Sequence, residues 1–143
     1  MIKRQIVCSL ILSFVLQTGV CYGEINKPQE SRELQFQDML MIFLLPYMQE
    51  QLPEIYAPLL TEVPLFYPNF VDVISVERVN GFRGFIFLIT LEAVPFIGPH
   101  IPVGKDRFTF EVSFREVKLI SVQHLKDPDK DDFPPNYLDI LRN

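Results

Sequence analysis

A chain of 143 residues, 48% of them hydrophobic, has the length and apolar content for one domain with a real core. Its 18 acidic residues outnumber its 13 basic ones, for a formal charge of −5. That sign argues against a nucleic-acid partner, whose phosphates need a basic footprint, and against electrostatic adhesion to anionic lipid or other anionic envelope polymers.

The first 23 residues read as a secretory signal peptide. Lys3 and Arg4 give a short positive region, Ile6 to Leu16 an apolar run, and Cys21 and Gly23 the small side chains that a signal peptidase selects. The apolar run is about half of what a spanning helix needs. Cleavage after Gly23 is therefore the leading reading, ahead of an uncleaved anchor or a lipid on Cys21. Cleavage removes Lys3 and Arg4 but no acid, which takes the formal charge from −5 to −7. It also removes both cysteines, Cys8 and Cys21, and with them any disulfide, thiolate metal site or cysteine nucleophile. The membrane is then met only transiently, through the signal. Stability has to come from packing, for which the chain has 13 phenylalanines and no tryptophan.

Residues 24–30 form a polar leader. Ser31 is placed as a helix N-cap, with Glu33 in the first turn where the helix dipole favours an acid. Leu34, Phe36, Leu40, Phe43 and Leu44 fall near one face, and residues 39–45 are apolar all round, so the spacing predicts a largely buried helix. Pro46 either kinks that helix or opens a second one over 47–56. Pro58, Pro64 and Pro68 predict an extended link ending at Asn69.

The period then changes from helical to alternating. Residues 70–78 are rich in Val and Ile, and Asn80-Gly81 is a strong hairpin signal. A strand over 84–94 places Phe85, Phe87, Ile89, Leu91 and Ala93 on one face. A strand over 107–115 turns Phe108, Phe110, Val112 and Phe114 inward, and a tight hairpin leads to a last strand over 117–126. Helix followed by four strands gives an α+β fold, the helix packed across a four-stranded antiparallel meander, cystatin- or NTF2-like in general architecture. The domain spans 31–126, and an acidic tail over 127–143 follows, with a short helix expected in its apolar end.

Two sites invite a chemical reading. The connection over 95–106 carries Gly98, Pro99, His100, Pro102, Gly104 and Asp106. His100 with Asp106 as its carboxylate could bind a ligand or a metal or act as acid and base, although one His and one Asp are few groups for a competent site. The bland alternative is a rigid turn shaped by its prolines and glycines. In the tail, Asp127, Asp129 and Asp131 occupy the first, third and fifth positions of a calcium loop, but the sixth residue is not Gly, the twelfth is not Glu, and Pro134-Pro135 break the pattern. His124 reads as a surface or edge residue. Glu62, Asp72, Glu77, Glu92 and Glu111 are scattered singly and read as solubilising charges.

With Leu45-Pro46-Tyr47, Gly98-Pro99-His100, Pro102, Gly104, Asp106 and Thr109-Phe110, the chain resembles a family of short secreted proteins of Gram-positive, mainly spore-forming bacteria, known only as a domain of unknown function. The resemblance covers roughly residues 31–125 and implies export and a fold, with no catalytic role. The leading expectation is a non-enzymatic exported module that binds a protein, a peptide or an envelope component, with no cofactor. A small hydrolase or metal-dependent enzyme built on His100 and Asp106 is the second reading. A carrier of apolar small molecules or lipids is the third.

Overall fold

The computed structural model describes residues 31–142; the predicted signal peptide, its two cysteines and the leader lie outside them. Helix α1 (Arg32–Gln49) starts where the N-cap was expected. Ser31 has extended backbone angles and its Oγ accepts a hydrogen bond from the Leu34 N–H at 3.1 Å, satisfying one of the donors that a helix start leaves unpaired. Pro46 neither ends nor begins a helix. It sits in the last turn of α1, where its carbonyl accepts from the Glu50 N–H. Pro53 instead lies in the first turn of α2 (Leu52–Tyr56), where a missing N–H costs nothing.

The buried stripe of α1 is Met41, Leu44 and Met48, and the same fourfold spacing continues through Leu52, Tyr56 and Leu60. The expectation of an all-round buried helix is overturned. Phe36, Met39, Ile42 and Phe43 are each at least half exposed. A helix lying on one sheet face has only a single stripe to bury, whatever residues occupy the rest of its circumference.

Four long strands form the sheet: β1 (Leu65–Arg78), β2 (Ile86–Ile97), β4 (Lys105–Ser113) and β5 (Val117–Lys126). All pairs are antiparallel in the order β1-β2-β4-β5, and the two-residue β3 (Ile101–Pro102) folds back on the end of β2. The α+β meander is therefore the observed fold. Ile89, Leu91 and Ala93 of β2 and Phe108 and Phe110 of β4 face the helix. The Phe108 and Phe110 rings stack at 6.3 Å, and Phe66 meets Phe108 edge-on at 5.6 Å.

Three boundaries differ from the sequence reading. β1 begins at Leu65, ahead of Pro68, because its register slips between Phe66 and Val71 and the proline sits in that irregularity. The β1–β2 connection is a longer loop over 79–85, closed by Val79 N–H donating to the Ile86 carbonyl, with Gly81 and Arg83 at positive φ. Most of the expected loop over 95–106 is strand, because Phe96, Ile97, Ile101 and Val103 are all buried and hold the chain against the core. Phe114 was expected inward but is exposed, since β4 ends at Ser113 and its Oγ accepts from the Arg115 and Glu116 N–H groups to make the turn.

The tail docks on the domain through two 3₁₀ turns (Lys130–Asp132 and Pro135–Ile140). Phe133 and Ile140 enter the core, and Thr61 N–H donates to the Ile140 carbonyl at 2.8 Å. Arg142 Nε donates to the Leu60 carbonyl at 2.7 Å. Phe133→Ala should therefore lower the unfolding free energy by about 3 kcal/mol, the scale for emptying a buried aromatic position. A urea titration of variant and parent measures this.

Candidate functional site

Inward and outward residues alternate along a strand, so Asp106 must share the face of Phe108 and Phe110. It is wholly buried. Its register partner on β5 is His124, and Tyr56 reaches the same carboxylate from the end of α2. Tyr56 Oη donates to Asp106 Oδ2 at 2.9 Å, and His124 Nδ1 lies 2.6 Å from Asp106 Oδ1. The second imidazole nitrogen, Nε2, lies 2.9 Å from Asp127 Oδ1 just beyond the strand. Ionised carboxylates only accept hydrogen bonds, so a histidine bonded to one through each nitrogen must donate from both. With both carboxylates ionised, the ring between them is an imidazolium.

Gly104 makes room for this network. A Cβ there would lie 2.3 Å from Tyr56 Oη and 2.6 Å from the Lys126 carbonyl. The Tyr56 and His124 rings meet edge-on at 5.3 Å, which fixes the imidazole plane.

Burial raises the Asp106 carboxyl above its ordinary value, against the opposing pull of its bonds to His124 and Tyr56. Burial also holds the Tyr56 phenol protonated, and the charge of Asp106 adds to that. For His124 burial acts downward, but the bonds and charges of Asp106 and Asp127 outweigh it and raise the imidazole above 6.5. On the outer face Glu92 is lowered by its bonds to Lys105 and Arg107, which clamp it across the β2–β4 pair.

These directions set a pH dependence. A raised histidine stabilises the fold below its unfolded value, and that contribution disappears as pH rises through the folded value. Asp106 acts in the same sense, because its ionisation is disfavoured in the folded state. Glu92 acts oppositely: its contribution is present above 4.5 and lost as pH falls through its lowered value. Stability should therefore be greatest under mildly acidic conditions and fall as pH rises from about 6.5 through the raised His124 value. Urea midpoints across that range test this, and in His124→Gln most of the alkaline slope should be gone.

A pocket of about 420 Å³ adjoins the network, lined by Gln51, Glu54, Ile55, Val122 and His124. It offers a carboxylate and an imidazole but no serine or cysteine among its lining residues.

The structure does not join His100 to Asp106. Both Asp106 oxygens are engaged by Tyr56 and His124, while His100 sits on the turn after β2 at φ +66° and stacks on Tyr67 at 4.9 Å. Gly98, in the same turn at φ +52°, packs so closely on Tyr137 that a Cβ would meet the ring at 2.8 Å. Gly98 thus seats the tail, with Pro99 beside it, and Pro102 pairs with Phe96 in the β2–β3 ladder. Of the three tail aspartates, Asp127 bonds His124 and Asp129 caps the first 3₁₀ turn by accepting from the Asp131 N–H. Among the described residues no three His, Cys, Asp or Glu side chains are grouped to hold a metal ion.

Sequence reasoning placed His124 on the sheet edge, where β5 lies, but missed that its ring bonds inward; Tyr56 was missed as well. Continuing the alternation of Phe110 and Phe108 back by two would have turned Asp106 inward. The i, i+4 ladder from Leu44 would have led to Tyr56.

No curated protein and no solved structure matches the chain. A family model described as "Protein of unknown function (DUF3888)" matches residues 36–126. That span holds Tyr56, Gly104, Asp106 and His124, and ends before Asp127 and the docked tail. The chain belongs to the DUF3888 family.

Proposed function

We propose that the protein is an exported, non-catalytic module that binds or organises a component of the cell envelope or exterior. The observation that carries this reading is that the buried Asp106–His124–Tyr56 cluster is bonded within the fold. Both Asp106 oxygens and both His124 nitrogens are used within the fold, and the Tyr56 hydroxyl is held protonated against Asp106. A general base must come within hydrogen-bond reach of its substrate, whereas Asp106 is wholly buried and both His124 nitrogens are bonded within the fold, joining α2, β4 and β5. Export rests on the charge, apolar run and small residues of the first 23 positions.

A second reading is favoured by one observation, the pocket beside His124 with Glu54 on its wall. If Asp127 swung away, Asp106 would orient a free imidazole toward that pocket. A panel of ester, phosphoester and glycoside substrates separates the two. The binding module predicts no turnover above background. Turnover abolished by His124→Gln in a still-folded protein would overturn it. For export, mass analysis of the extracytoplasmic protein should find a chain beginning at Glu24; a chain retained inside the cell with Met1 intact would contradict it.

A further inference from the structure

The end of the sheet away from Asp106 and His124 is built from other chemistry. β1 ends and β2 begins there, and so do β4 and β5, so the loop over 79–85 and the turn over 114–116 lie side by side. Ile86 pairs with Ser113 at the end of the β2–β4 ladder, so Phe85 and Phe114 each lie one residue beyond it at the same end of the sheet. Phe82 is 95% exposed, Phe114 81% and Phe85 63%. Phenylalanines at such exposure contribute nothing to the core, and three at one end form an apolar projection that water disfavours.

Arginines surround them. Arg78 lies over the Phe87 ring at 4.5 Å, and Arg115 over the Phe114 ring at 5.3 Å. Arg83 is held at φ +59° beside Phe82, and Arg78, Phe82, Arg83 and Phe85 line a shallow cleft of about 330 Å³. None of the three arginines forms an ion pair among the described residues. Against them stand Glu77 and Glu116, so this end is locally cationic on a chain of net charge −5. The aspartates over 127–132 follow the other end of β5, where Lys105, Lys126 and Lys130 accompany them.

From this juxtaposition we infer that the Phe82–Phe85–Phe114 end is a membrane-docking tip for a bilayer surface containing anionic lipid. Exposed rings enter the boundary between headgroups and acyl chains, and the arginines meet lipid phosphates. The net charge argues against adhesion by the whole surface; an end that joins exposed rings to arginines docks locally. This deepens the reading of an exported binding module by giving its partner a chemical class.

The chain has no tryptophan, so Phe82→Trp creates a single reporter at a position too exposed to disturb folding. Added to vesicles of phosphatidylcholine with phosphatidylglycerol, the full-length Phe82→Trp protein should shift its emission to the blue, and added salt should weaken the shift. Phe43→Trp, on the exposed face of α1, should not shift. Removing two rings with Phe85→Ser and Phe114→Ser in the Phe82→Trp background should lower partitioning roughly tenfold or more, and Arg83→Ala with Arg115→Ala several-fold. An unshifted Phe82→Trp emission overturns the proposal, as does a shift at Phe43→Trp alone. A concentration-dependent shift without vesicles also overturns it, in favour of a second copy on this surface. His124→Gln should leave vesicle binding intact, so a catalytic His124 and a failed tip give separate results.

Discussion

Gly104→Ala should prevent the domain from reaching a stable folded state. The added methyl would be placed 2.3 Å from Tyr56 Oη and 2.6 Å from the Lys126 carbonyl. The phenol cannot retreat without leaving Asp106, and the carbonyl belongs to β5, so neither neighbour yields cheaply. The expected loss is on the order of 3 kcal/mol or more, at the upper end for overpacking a core. Gly81→Ala is the matched control. It shares a positive φ, +70°, but has nothing within 4 Å of the new methyl, and should cost only about 1–2 kcal/mol for the left-handed backbone. Thermal and urea unfolding of the two variants distinguish crowding at Gly104 from the conformational penalty. Equal losses would mean that close packing around Tyr56 is not what selects glycine at position 104.

The second large effect is expected at Asp106. Asp106→Ala leaves the Tyr56 hydroxyl without its acceptor and His124 paired only to the exposed Asp127. Deleting one partner of a buried, hydrogen-bonded charge pair costs about 3–5 kcal/mol. Asp106→Asn keeps one oxygen able to accept and nearly the same volume, so it should cost clearly less. Its distinguishing mark lies in pH dependence. Without a carboxylate on Nδ1, His124 should titrate closer to its ordinary value, and the alkaline loss of stability should be smaller and complete at lower pH. Imidazole shifts followed by NMR report that titration directly, and an unchanged His124 in Asp106→Asn would remove Asp106 as the cause of its elevation.

Much of the fold was legible because its signals are local. The N-cap at Ser31, the strand over 117–126 and the inward run of Ile89, Leu91 and Ala93 follow from capping chemistry and period-two alternation. The face of α1 was not legible, since residues 39–45 are apolar all round and periodicity cannot choose among equivalent stripes. The candidate site was half visible. Asp106 stood out through its place in the Gly- and Pro-rich connection, but its partner depends on β4–β5 register, which sets His124 opposite it and His100 out of reach. Tyr56 comes from 50 residues away in sequence, a contact that no short-range pattern encodes. Glu92 shows the same limit: one outward acid among several, it is distinguished only by the two cations that the β2–β4 pairing brings to it.

The docked tail also bears on how the molecule assembles and opens. Each long strand pairs with the next long strand along the chain, with only the two-residue β3 between β2 and β4, so the meander can grow by successive hairpin closure. The tail's clasp is of another kind: Arg142 to Leu60 spans 82 residues and Thr61 to Ile140 spans 79. Long-range closures gain contacts only after most of the chain is ordered. The clasp should therefore form last and release first, as a subglobal opening beneath global unfolding. In hydrogen exchange the Thr61 and Arg142 amides would exchange ahead of those in the β2–β4 ladder.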